Sequence, residues 1–280
     1  YKLPTTFAGI VGLGVVGFQV GGSLYWWSSS LVLFDTFYSS IASIIVFGHA
    51  SFNKYYKTYQ LKEQIKMQFQ KYLSPDMVDE LAKNPEKLRL GGERKEMTFM
   101  FMDICGFTPI SEAYKNNDDP EGLVDLINKF LDVQTKIIIN NSGTIDKYMG
   151  DCIMSFWNAP LDCENHAELA VKSALEVLDA TKKLNEELAP LNLPPINVGI
   201  GISTGECIVG NMGSEVRFDY SVIGDAVNLG ARLEGQTRNY DGVDLLLSER
   251  TYQCCPNGTF TEVDRIKVKG KSEKVTIYTC

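Results

Sequence analysis

The apolar positions fall into two long blocks near the start of the chain and then break into short runs. Thr5 to Trp27 carries no charge, and its main polar interior residue is Gln19. Leu31 to Ala50 is interrupted by Asp35 alone. Each block is close to the roughly 20 residues that a helix needs to cross a bilayer. Ser28 to Ser30 leave room only for a tight reversal, which predicts a helical hairpin with spans at about 5–27 and 31–50. Lys2 precedes the first block and Lys54, Lys57 and Lys62 follow the second, so both ends are expected in the cytoplasm. Tyr25, Trp26 and Trp27 suit the far interface. A buried hairpin of a soluble protein and a signal sequence are the competing readings, but two adjacent blocks of this length fit neither well. The glycines include G-x-x-x-G spacings, which would seat a further helix or simply pack within the hairpin. Asp35 lies near a membrane end, where it either reaches the interface or has a role of its own.

After the second block the period changes. Thr58, Leu61, Ile65, Gln68 and Tyr72 recur at alternating steps of three and four, a short heptad seam that would pair with a copy of itself or lie on the domain that follows. Pro75 and Asn84-Pro85 act as boundaries, and RLGGERKE reads as a polar linker. EMTFMFMDI is then a short apolar run, taken as a central strand from Met97 to Met102 ending at Asp103. Leu123, Leu126, Ile127, Phe130, Leu131 and Ile137 form one stripe of a helix over Pro120 to Asn141. SGTIDKYMGDCIMSFW reads as strand, Gly-Asp turn and strand, with Asp151 at the tip. The expected organisation is a transmembrane hairpin over 1–53, linker helices over 54–87 and a catalytic body over 88–280.

Composition narrows the chemistry. A formal net charge of -8 argues against a nucleic-acid partner, which needs a basic face. Seven cysteines without a C-x-x-C pair point to free thiols in a reducing compartment. Only His49 and His166 are present, which disfavours a histidine metal site or a Ser/His/Asp triad. If the hairpin pairs beside the first strand, Asp103 and Asp151 project at the same end of the sheet. Each alone fits a turn. Together they suit Mg²⁺, which takes oxygen ligands and shares them with phosphates, and Gly106 would let backbone amides approach those phosphates.

MDICGFT, GTIDKYMGD, YSVIGDAVNLGARLE and VKGK, in that order, resemble the class III nucleotide cyclases over roughly Leu88 to Cys280. The two helices and FQKYLSPDMVDEL also resemble the lead-in of bacterial, membrane-anchored cyclases with a CHASE2 sensor. Because the chain starts at Tyr1, an upstream sensor region is expected outside it. The resemblance implies an α+β, ferredoxin-like palm that works as a homodimer with shared active sites, in a bacterial inner membrane with the catalytic domain in the cytoplasm. It implies two Mg²⁺ or Mn²⁺ ions per site on Asp103, Asp151 and the carbonyl of Ile104, with Gly106, Phe107 and Thr108 beside the substrate. Asn228 and Arg232 of the other subunit would orient ribose and stabilise the reacting phosphate. Lys269 would hold the terminal phosphates and Lys147 the purine.

Adenine accepts at N1 and donates at N6, whereas guanine does the reverse at N1 and O6. A donor at Lys147 therefore favours ATP. Many members of the family pair that lysine with an aspartate where this chain has Ser221, whose hydroxyl accepts from N6. This departure resembles a subgroup some of whose members respond to bicarbonate. A phosphate-directed arginine found in some members has no match in DGVDLLLSE. The expected activity is conversion of ATP to cyclic AMP. The alternatives are a guanylate cyclase, disfavoured by Lys147, and an inactive cyclase-like partner module.

Overall fold

The computed structural model describes residues 5–31, 36–69, 91–191, 193–214, 218–267 and 274–280. Asp35, the boundary prolines Pro75 and Pro85, most of the FQKYLSPDMVDEL segment and Lys269 lie outside the described residues. The chain divides into two units, Tyr1–Tyr72 and Leu73–Cys280, each described by itself.

The first unit holds helices α1 (Thr5–Ser30) and α2 (Phe37–Phe69). Gly12 faces the ring of Phe47, and Ser40 Oγ donates to Gln19 Oε1 at 3.3 Å, so the helices run side by side in opposite directions. Gln19 of α1 is thus answered inside the pair, while Leu13, Phe18, Ile44, Ile45 and Val46 are exposed. Among the described residues one segment, Ile10–Ser30, is long and apolar enough to cross a membrane by length and composition. The second expected span belongs to α2, which continues unbroken through residues 50–54 into its polar half. The change at that point is one of composition, with no break in the helix.

In the second unit an eight-stranded sheet has the order β2-β3-β1-β4-β6-β8-β7, with β5 paired to β4. The strands are β1 (Gly91–Cys105), β2 (Thr144–Met149), β3 (Cys152–Trp157), β4 (Asn197–Gly213), β5 (Phe218–Ile223), β6 (Leu245–Ser248), β7 (Thr261–Ile266) and β8 (Val275–Thr279). The helices are α3 (Phe107–Asn116), α4 (Pro120–Asn140), α5 (His166–Leu188), α6 (Asp225–Gln236) and α7 (Glu249–Gln253).

From Met97 to Met102 strand β1 is buried on both faces because both are covered. Met100, Met102 and Ile104 enter a core with Phe130 and Ile138 of α4 and Ala170 and Val177 of α5. Met97, Phe99 and Phe101 enter a second core with Val222 of β5 and Val227 of α6. Alternation along a strand sends neighbours to opposite faces, so a continuous apolar run marks a strand buried twice. This strand starts six residues before the expected Met97, at Gly91. Within the expected linker RLGGERKE, the described part GGERKE is strand because β1 pairs with β4 over its whole length, from Gly91 opposite Asn211 to Cys105 opposite Asn197. The predicted helix over 120–141 and the hairpin tipped by Asp151 both form, the helix ending at Asn140 with Asn141 as its cap. All seven cysteines are free.

Helix α6 crosses between the parallel strands β4 and β6 and lies directly on the sheet. A side chain at Gly201 would start 2.1 Å from the Glu234 nitrogen and 2.3 Å from the Gly230 oxygen, so only glycine permits this approach.

Candidate active site

The end of β1 and the β2–β3 turn bring the two aspartates together. Met102 pairs with Ile153, and Gly150, at φ 69°, turns the chain so that Asp151 stands beside the end of β1. Burial pushes the Asp151 carboxyl up, and the adjacent Asp103 carboxyl adds to this, while a backbone hydrogen bond from Ile104 opposes it. Two carboxylates held close against their mutual repulsion are a site that a divalent cation relieves. The Ile104 side chain is buried in the core, so only its backbone faces the site. The donor set is all hard oxygen, as Mg²⁺ or Mn²⁺ requires. Among the described residues no cluster of three or more His, Cys, Asp or Glu is placed to hold a metal, so a cation here would need further oxygen ligands beyond the two carboxylates.

Cys105 and Gly106 follow, and α3 begins at Phe107. Gly106 has φ 68°, a left-handed conformation, and nothing crowds its missing side chain. Its value is therefore the backbone turn that aims the N-terminus of α3 beside Asp103. The first amides of that helix, at Phe107 and Thr108, are the free donors that suit phosphate oxygens. Phe107 anchors the turn by packing on the core, and Thr108 is exposed.

Two residues of this site were not singled out in the sequence. Arg238, just after α6, donates to Asp103 Oδ2 at 2.7 Å and to Glu234 Oε1 at 3.3 Å. Burial, then the nearby charge of Asp103, pushes the Glu234 carboxyl up to about 7. The i,i+4 spacing of Glu234 and Arg238 was the available signal.

Lys147 stands at a second location. The register of β2 against β3 shifts between Ile145 and Lys147, which makes Asp146 the residue at an irregularity of the ladder. Bulges of this kind re-aim side chains beside functional sites. The Asp146 side chain is turned inward, 1% exposed, while that of Lys147 remains 44% exposed with its ammonium 3.5 Å from Asp146 Oδ1. Ser221 of β5 donates to Asp146 Oδ2 at 2.7 Å. The contact between Phe156 of β3 and Tyr220 of β5, at 6.3 Å between ring centres, holds the two hairpins together. The structure thus joins Lys147 and Ser221 through an aspartate that the sequence reading passed over.

Asn228 and Arg232 lie one turn apart on α6, with Val227, Leu229, Gly230 and Leu233 buried beneath them. At 3.6 residues per turn they are about 40° apart, and Glu234 lies roughly 160° from Arg232. The flank carrying Glu234, with Arg238 beyond it, faces Asp103 of its own chain. Asn228 and Arg232 therefore point away from the aspartates of the same chain.

Residues 92–280 match the family of adenylate and guanylate cyclase catalytic domains. An adenylate cyclase of Anabaena cylindrica is 34% identical over 235 residues, covering 81% of this chain and 44% of the relative. Adenylate cyclase 1 of Rhizobium meliloti is 33% identical over 213 residues, covering 75% and 31%. The chain thus spans less than half the length of these curated relatives. Among solved structures, the adenylyl cyclase CyaB from P. aeruginosa is 36% identical at a TM-score of 0.63, covering 68% of this chain and 95% of that one. The guanylyl cyclase Cya2 is 33% identical at 0.61, covering 68% and 93%. With a family match across the whole β1-to-β8 body and a fold shared with both kinds of enzyme, this chain belongs to the class III nucleotide cyclases.

Proposed function

We propose that this chain is a membrane-anchored adenylate cyclase that converts ATP to 3′,5′-cyclic AMP and pyrophosphate at two symmetric sites of a homodimer. The observation that carries the reading is the division of labour around α6. Asp103 and Asp151 sit with one flank of that helix, and Asn228 and Arg232 occupy the other. One chain therefore holds both halves of a site, aimed apart, and a second copy related by two-fold symmetry brings them together.

In this reading Asp103, Asp151 and the Ile104 carbonyl hold the metal ions and the α3 amides receive phosphate oxygens. Mg²⁺ or Mn²⁺, when bound, supplies Lewis-acid polarisation of the reacting phosphate. Attack of the ribose 3′-hydroxyl on the α-phosphate expels pyrophosphate, and charge builds on phosphoryl oxygens. Asn228 orients the ribose, Arg232 meets the charge of the reacting phosphate, and Lys269 holds the terminal phosphates, so catalysis rests on positioning and electrostatics. Lys147 donates to adenine N1 and Ser221 accepts from N6. The apolar exterior of α1 and α2 supports anchoring in a lipid bilayer, and the exposed Tyr55 to Tyr59 and Leu61 on α2 support pairing of linker helices between copies.

The similarity to a guanylyl cyclase keeps GTP as the second reading, which the ammonium at Lys147 opposes. The test is Mn²⁺-dependent production of cyclic AMP and cyclic GMP by the purified full chain, beside Asp103→Ala. Cyclic AMP from the wild type and none from the variant supports the reading. Cyclic GMP as the main product overturns the substrate, and no product from a folded dimer leaves an inactive module.

A further inference from the structure

The hydroxyl of Ser221 carries one proton and two lone pairs, so whether it meets a substrate as donor or acceptor depends on where that proton goes. Here it goes to Asp146 Oδ2, at 2.7 Å. The other oxygen of the same carboxylate faces the Lys147 ammonium at 3.5 Å and has no closer polar partner among the described residues. Burial pushes the Asp146 carboxyl up from its ordinary value, opposed in part by the Ser221 hydrogen bond and by Lys147, with Asp219 adding a smaller push upward.

We propose that Asp146 is a positioning residue for substrate choice: by taking the Ser221 proton it leaves that oxygen facing the base as an acceptor, selecting a purine with an exocyclic amine over one with a carbonyl. This rests on the reading that Lys147 and Ser221 meet the base. An ionised carboxylate only accepts, so the hydroxyl has one orientation while Asp146 stays charged. The same carboxylate holds the ammonium of Lys147, which only donates. One buried group therefore presents a donor beside an acceptor, the complement of adenine N1 and N6. Guanine would set its N1 hydrogen against an ammonium and its O6 against a lone pair. A site built this way rejects the wrong base mainly through the polar groups it leaves unpaired.

The informative variant is Asp146→Asn. The Lys147 ammonium draws the amide oxygen to itself, which turns the amide NH₂ toward Ser221. Ser221 then accepts from the amide and turns its hydrogen to the base. The full chain is assayed for kcat/KM with ATP, GTP and purine riboside triphosphate, which has no exocyclic group at position 6. The expected result is a fall of about tenfold in the ATP to GTP ratio, the scale of one hydrogen bond lost and an unpaired group gained. The fall on purine riboside triphosphate is smaller than that on ATP. In a Ser221→Ala background the same substitution leaves the ratio where Ser221→Ala alone put it. An equal fall on all three nucleotides, or a ratio shift that persists without Ser221, overturns the proposal. Should the variant fail to fold, the wild type still decides, since it is expected to use ATP about tenfold better than the 6-unsubstituted analogue, and equal use overturns the proposal. A wild type that makes cyclic AMP while Asp146→Asn keeps its ratio sinks this inference alone; a wild type that makes none removes the proposed function and the inference with it.

Discussion

On the proposed reading, a cation bound at Asp103 would compete with Arg238 for that carboxylate. The guanidinium donates to Asp103 Oδ2 at 2.7 Å, a distance at which two unit charges attract by roughly 1.5 kcal/mol in bulk water. Arg238 is 51% exposed and Asp103 24%, so screening and the ordering of a long side chain leave about 0.2–1 kcal/mol. A cation that takes Asp103 must displace this bond. Arg238→Met keeps the apolar stem, removes the competitor and is expected to tighten Mn²⁺ binding about 1.4- to 5-fold. In the variant Glu234 holds its proton more firmly, because Arg238 no longer favours its charged form, so an added negative charge does not inflate the effect. The assay is calorimetric titration of the full chain with Mn²⁺ in the absence of nucleotide, with thermal melting as the control for folding. Unchanged or weaker Mn²⁺ affinity in a variant that melts like the wild type would refute the reasoning and make Arg238 a support for the metal site.

Two further substitutions test how α6 is held. Glu234 is raised in the folded protein to about 7, above the ordinary 4.5, so its contribution to stability is complete below about 4.5 and is lost as pH rises through 7. In metal-free protein Glu234→Gln should melt like the wild type near pH 4.5 and above it at pH 8; a constant difference across that range would contradict this. Gly201→Ala places a methyl group about 2.1 Å from the backbone of α6, so stability should fall by about 1–3 kcal/mol or more as the helix is pushed off the sheet. A urea midpoint equal to that of the wild type would show that the contact relaxes at no cost.

The parts of this fold legible in the sequence were those whose pattern depends on local periodicity. The stripe from Leu123 to Ile137 and the Gly150-Asp151 turn form as expected, and the unbroken run Met97 to Met102 is a strand buried on both faces. GGERKE was misread because a solvent-facing strand end has no apolar alternation; its strand state comes from pairing with β4, a partner more than a hundred residues away. The continuity of α2 was hidden for the opposite reason, since the chain turns polar after Ala50 without any residue that ends a helix. The aspartate pair was legible because strand ends and turns place carboxylates predictably. Asp146 was not, because an aspartate beside a lysine reads as solvated surface until the irregular β2–β3 register turns it inward. Arg238 escaped for a related reason: its partner Asp103 is distant in sequence and meets it only because Gly201 lets α6 settle on the sheet.

The shared site is tested most directly by complementation. On the proposed reading, Asp103→Ala would remove the metal half-site and Asn228→Ala the ribose half-site, so each alone should be nearly inactive. Co-expressed, the two form heterodimers in which one centre has both halves intact. Random pairing makes half of the dimers mixed, each with one working centre of two, so cyclic AMP production should return to about a quarter of the wild-type rate. No recovery from co-purified, folded heterodimers would mean that α6 and the aspartates of a single chain serve the same centre, and the account of a site divided between two copies would be wrong.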